Sequence, residues 1–200
     1  MPNPSSVSDS YGEWFEIHNT TDSIINIHGW AIRDTDNDYH TIENESSSIL
    51  INPGQFFVMA INSDMNLNGG LQSHYEYNNL YFSNSEDAII LLDTSGAIID
   101  EVHYTGGWPF QSGASMELQD FSLDNNESDN WSEANLYYGD GDLGSPGTNY
   151  DGTSVYNIDD SQIPSEILLF HPYPNPFNPL TTINIVINVK QYCTINMVNI

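Results

Sequence analysis

Apolar and polar positions along this chain fall into short runs with a period of two, separated by turn residues. In residues 13–18, Phe15 and Ile17 share one side while Trp14, Glu16 and His18 share the other, as in a strand with two distinct faces. Residues 24–27 and 30–32 are β-branched or aromatic runs broken by Gly29. Residues 49–51 lead into Asn52-Pro53-Gly54, where Pro presets φ and Gly tolerates a positive φ, so the run ends in a turn. Residues 56–61 are continuously apolar and short enough for a strand buried on both faces. Residues 88–92, the turn 93–96 and residues 97–99 predict a hairpin. Nowhere do apolar residues recur at helical spacing over three turns without a Gly, Pro or Asn-Ser cluster intervening. Short strands with turns between them predict an all-β sandwich or barrel.

The pattern changes near residue 150. Residues 139–149 are too rich in Gly and Pro for regular structure, and residues 150–164 are polar with little periodicity, which reads as a domain end followed by a linker. Beyond it, residues 182–189 and 193–200 alternate as strands, and the chain stops inside the last of these.

Composition narrows the functions. The 200 residues carry 28 acidic side chains against two basic ones, Arg33 and Lys190, for a net charge of −26. Specific duplex binding uses about 6–10 cationic phosphate contacts, which two cations cannot supply. Nucleic acid and anionic membrane surfaces are therefore excluded as direct partners. No run approaches the ~18 apolar residues of a membrane span, and residues 1–14 show no basic and apolar leader pattern. A single cysteine, Cys193, forbids an intramolecular disulfide and argues against a cysteine-built metal site.

Two stretches resemble known families. The strand at 13–17 followed by Asn19, then Gly29-Trp30 with Ile32 and Asp34, then 51–54 before Phe56-Phe57-Val58, begins the first match. The hairpin 91–96 with Asp100 and Tyr104, then Trp108-Pro109, residues 113–118, Trp131 and Gly144-Ser145-Pro146-Gly147 complete it in order. Together these resemble a bacterial lamin-tail domain, an immunoglobulin-like sandwich of secreted and surface proteins. Tyr173, Pro174, Asn175, Pro176, Phe177, Asn178 and Pro179, followed by Thr181-Thr182-Ile183, resemble the opening of a type IX secretion C-terminal sorting domain. The end of that domain is missing here. The expected organisation is therefore an N-terminal segment at 1–12, the remnant of a trimmed first strand, and a lamin-tail-like sandwich at 13–149. A linker at 150–165 and a partial sorting domain at 166–200 follow, the latter a second, incomplete β-sandwich unit.

Candidate chemistry is sparse. Asp34, Asp36 and Asp38 place carboxylates at every second residue, and Glu45 falls twelfth from Asp34, the ligand spacing of a helix–loop–helix calcium site. Tyr39 stands where the sharp turn of such a site needs Gly, and neither flank reads as a helix. A polar hairpin loop is the competing reading, with looser calcium binding open because close carboxylates repel without a counter-ion. Asp140 and Asp142 sit in a Gly-rich stretch that either bends oxygens round calcium or serves only as a flexible domain exit. The six histidines never pair at metal-ligand spacing, and no serine lies in a G-x-S-x-G elbow. The four tryptophans read as packing residues sooner than as a sugar platform, because they fall on structural positions of the resembled family.

The expectation is a non-catalytic, exported module for attachment or recognition at a bacterial cell surface, requiring no cofactor and admitting calcium. Its expected partners are the secretion machinery, through the C-terminal segment, and a surface protein or polysaccharide. The alternative is the accessory domain of a larger secreted hydrolase such as a nuclease or phosphatase, because the resembled modules also accompany such enzymes.

Overall fold

A computed structural model of the chain describes residues 1–36 and 38–148, together with the backbone of a strand pair at 168–169 and 185–186. The chain divides into two units, Met1–Tyr156 and Asn157–Ile200.

The first unit is built almost wholly of strands. A single helical turn, α1 (Asp9–Gly12), precedes β1 (Trp14–His18), β2 (Ile25–Asn26), β3 (Ala31–Arg33), β4 (Tyr39–Thr41) and β5 (Leu50–Ile51). Next come β6 (Phe56–Ala60), β7 (Tyr75–Glu76), β8 (Asp87–Leu92) and β9 (Ile98–Tyr104). The short strands β10 (Met116–Leu118), β11 (Trp131–Glu133), β12 (Tyr137–Tyr138) and β13 (Asp142–Leu143) follow. One sheet has the order β1-β6-β7 and the other β4-β3-β8-β9, while β2-β5, β10-β11 and β12-β13 form two-stranded ribbons.

Alternation decides which side chains meet between the sheets. Phe15 and Ile17 of β1 and Phe57 and Met59 of β6 pack with Ile32 of β3 and Ile89 and Leu91 of β8. Tyr77, Leu80 and Phe82, from the loop after β7, close this core. The residues between them face outward from the first sheet, where Trp14, Val58 and Ala60 are buried with Met1 and Leu71 in a second cluster. All five residues of β6 are thus buried, as a continuous apolar run requires. Fully burying one such large side chain contributes about 1.5–3 kcal/mol.

The expected hairpin is present. β8 and β9 pair antiparallel from Asp87 opposite Tyr104 to Leu91 opposite Asp100, with an irregularity between Leu91 and Leu92. Its turn is fixed by Asp93, whose Oδ1 accepts from the Ser95 and Ala97 amides at 2.8 and 3.0 Å, and by Gly96 at φ +81°. The architecture is an all-β, immunoglobulin-like sandwich.

Residues 1–12 belong to this unit. The Met1 nitrogen donates to the Trp14 carbonyl at 2.9 Å, and the Trp14 amide donates back to the Met1 carbonyl at 3.2 Å. In the second unit, β14 (Leu168–Leu169) pairs antiparallel with β15 (Ile185–Val186). The motif at 173–179 lies outside the described residues.

Candidate binding cleft

The acidic residues singled out by spacing do not converge. Asp34, Thr35, Asp36 and Asp38 lie between the antiparallel strands β3 and β4, not between two helices. Asp34 is only 5% exposed, and its Oδ1 accepts from the amides of Asp36 and Asp38 at 2.8 and 3.2 Å. Burial raises its pKa, and those two amides oppose the rise. Asp36 is exposed, and Asp38 accepts from the Tyr81 amide at 3.1 Å. Glu45 is exposed in a separate turn.

Asp142 is also spoken for. It is 3% exposed and accepts from the amides of Ser5 and Ser6 and from both their hydroxyls, the shortest at 2.6 Å. It pins the N-terminal segment to β13, while Asp140 is exposed. Among the described residues, no three His, Cys, Asp or Glu side chains gather as a metal ion would need.

His40, in β4 beside this loop, is held by hydrogen bonds. Its Nδ1 accepts from the Asn78 amide at 3.2 Å, its Nε2 lies 3.0 Å from the Tyr75 hydroxyl, and burial lowers its pKa. Trp14 is buried and Trp30, Trp108 and Trp131 are half-buried, so none presents an open aromatic platform.

A different set of residues does converge. The Glu13 carbonyl accepts from the Ile61 amide, and the Asn19 amide donates to the Gln55 carbonyl. The odd-numbered residues of β1 therefore make the ladder to β6, and Trp14, Glu16 and His18 turn their backbone groups to the opposite edge. Met1 takes those of Trp14. Nothing among the described residues pairs with the backbone of Glu16 or His18.

Along this edge runs a cavity of about 540 Å³, within the ~300–1,000 Å³ of ligand clefts. Ile17, Ile89 and Leu91 line its inner part, while Glu16, His18 and Glu117 line its outer part. Residues from both faces of β1 border it, so it follows the strand edge rather than one sheet face. The β10–β11 ribbon covers it, held to β9 by Asn126, whose side-chain amide donates to the Glu101 carbonyl at 2.8 Å and accepts from the His103 amide at 3.0 Å.

The cleft is polar where the chain leaves polar atoms unmatched. Ser115 Oγ, Glu117 Oε1 and both ring nitrogens of His18 are buried without hydrogen-bond partners. Ser115 is 1% and Glu117 9% exposed. Each such atom costs about 1–3 kcal/mol unless something supplies a partner. The Glu16 carboxylate accepts from the Gly147 amide at 2.9 Å. Burial nevertheless pushes its pKa up to about 8, with the Glu117 charge adding to the rise. Burial raises Glu117 itself. The His18 ring stacks on Phe56 at a centroid distance of 4.1 Å, and burial lowers its pKa. Among the described residues no serine hydrogen-bonds a histidine.

The family model for the lamin tail domain matches residues 1–106, more than half of the chain. The chain belongs to the lamin tail domain family. No curated protein matches the sequence. The lamin tail domain is an immunoglobulin-like structural domain, generally non-catalytic. The ribbons β10–β11 and β12–β13 lie beyond the matched residues, and β12 meets the outer side of the matched sheet through Tyr138, whose hydroxyl accepts from Trp14 Nε1 at 2.8 Å.

Glu16, His18, Ser115 and Glu117 were not identified as a site by sequence spacing. Glu16 and His18 share a strand face with Trp14, a legible signal. Glu117 had none, being one carboxylate among 28 acidic residues.

Proposed function

We propose that this lamin tail domain is a non-catalytic recognition or attachment module of an exported, cell-surface protein. The observation that carries this reading is the cleft beside β1, where buried Ser115, Glu117 and His18 atoms lack partners that a ligand would supply. The sandwich provides the rigid frame and the cleft the contact, a division of labour typical of such scaffolds. Export rests on the resemblance of residues 173–179 to a sorting signal.

The test is saturable binding of the purified chain to isolated bacterial envelopes, in chelator and in millimolar calcium. Saturable binding in either condition supports recognition, and its absence in both overturns it. For export, residues 150–200 are fused to a reporter in a bacterium with type IX secretion. A reporter retained inside the cell refutes the sorting role.

A further inference from the structure

We infer that residues 74–78 form an acid-labile clasp: His74 and His40 hold the two ends of this segment as neutral hydrogen-bond acceptors, and protonating them loosens it from β6 and β4. Unlike the cleft, this device needs no ligand.

A neutral imidazole has one donor and one acceptor nitrogen, and a protonated one has two donors. At the start of the segment, the His74 amide donates to the Val58 carbonyl at 2.8 Å, and the Val58 amide donates to His74 Nδ1 at 3.0 Å. The ring thus takes the place that a backbone carbonyl would fill on a neighbouring strand. At the end of the segment, the Asn78 amide donates to His40 Nδ1 at 3.2 Å. The Tyr75 hydroxyl accepts from the Glu43 amide at 2.9 Å and donates to the Glu43 carbonyl at 3.2 Å. It therefore meets His40 Nε2, 3.0 Å away, as an acceptor. These partners fix both neutral rings in the tautomer with the proton on Nε2.

Protonation adds a hydrogen to Nδ1, where each ring faces a backbone N–H. His74 then loses the Val58 amide, and His40 keeps only Asn78 Oδ1, 3.3 Å away. The surroundings favour the neutral form. Phe57 of β6 stacks on His74, and the Tyr75 and Tyr77 rings lie against His40. Glu43 is the carboxylate that faces His40, while Glu76 of β7 is turned to the amide and hydroxyl of Ser63. Burial lowers the pKa of His40 in spite of Glu43, and burial alone lowers that of His74.

The two-residue strand β7 pairs only with β6, so the two histidine bonds are a large part of what holds the segment. Once loosened, the rings take protons at the ordinary histidine value of 6.5, and in the closed segment only at lower pH. Closure is therefore complete above 6.5 and is lost as pH falls below it.

Long-range proton–nitrogen NMR of the intact chain at pH 8 reads the tautomer of each ring, and amide hydrogen exchange from pH 8 to 5 reads the clasp. Both Nδ1 atoms should be unprotonated, and protection at Val58 and Asn78 should fall relative to the β8 amides. The limit is about thirtyfold per histidine at pH 5, for a group of ordinary value 6.5 that takes its proton only on release. Combining His40→Asn with His74→Asn keeps an acceptor oxygen near each Nδ1 position without titration, and should abolish the fall. A proton on either Nδ1 at pH 8, protection that stays parallel to that of β8, or a fall that persists in the double variant overturns the inference. The tautomers and the titration are read in the wild type, so they decide the matter even where the variant fails to fold.

Discussion

A buried glutamate, Glu13, and a half-buried one, Glu16, make the stability of this domain depend on pH in an unusual direction. Glu16 holds its proton up to about 8 and Glu13 up to about 7, against 4.5 for an ordinary glutamate. Burial is the leading cause for both. The Gly147 amide at Glu16 and the Phe82 amide at Glu13 offset only part of it. Between pH 4.5 and 8 the folded state therefore binds more protons than the unfolded state. Their contribution is fully present below 4.5 and is lost as pH rises through the folded values.

For Glu16, the interval from 4.5 to about 8 corresponds to about 4–5 kcal/mol at ~1.4 kcal/mol per pH unit. Water in the adjoining cleft will reduce this, so ~2–3 kcal/mol is the expected size. The perturbation is Glu16→Gln, which keeps an acceptor for Gly147 and removes the titration. Urea unfolding of wild type and variant at intervals from pH 5 to 9 is the assay. General repulsion among the remaining carboxylates acts on both proteins, so the difference between the two curves isolates Glu16. The variant should gain ~2–3 kcal/mol on the wild type between pH 5 and 9. Parallel curves would refute the assignment of a proton to Glu16 in the folded protein.

Replacing Asp142 by Ala removes the acceptor for Ser5 and Ser6 and should cost about 3 kcal/mol or more in urea unfolding. Phe57→Ala in β6 empties a core position and should cost about 3–5 kcal/mol in the same measurement. Gly139→Ala should block folding, seen as loss of near-ultraviolet circular dichroism, because its Cβ would collide with the Gly69 carbonyl and φ is +50°. Calcium and magnesium at equal ionic strength should shift the melting temperature alike, since Asp34 and Asp142 already hold internal donors. A calcium-specific rise that vanishes when Asp34, Asp36 and Asp38 become Asn would instead establish a loop site.

The fold was legible because its strands announce themselves by burial. Phe15 and Ile17 alternate with Trp14 and Glu16, and the β6 run is apolar throughout, so facing and burial follow from the two-residue period alone. The turn at Asp93–Gly96 is encoded in its own four residues. The site was less legible, because it depends on what lies opposite. Spacing marked Asp34, Asp36 and Asp38, but in a β-hairpin loop a carboxylate is readily satisfied by neighbouring amides, and Asp34 takes two of them. Glu16 and Glu117 come together across 100 residues of chain, through a ribbon whose path no local pattern specifies.

The two strand edges that border the cleft meet different partners among the described residues. An exposed strand edge invites uncontrolled pairing, so folded proteins cover or cap it. At β9 the chain does this with one residue, Asn126, whose side-chain amide copies the donor and acceptor of a neighbouring strand. At β1, among the described residues, no such device pairs with the backbone of Glu16 or His18, although the same ribbon passes over both edges. What stands there is one carboxyl, of Glu117, the Ser115 hydroxyl and the His18 imidazole with unmet bonding capacity. A region whose only task was to close the sandwich would be better served by apolar side chains at Ser115 and Glu117, which are nine-tenths or more buried. That retained polarity at Ser115 and Glu117 is what the recognition reading of the cleft rests on.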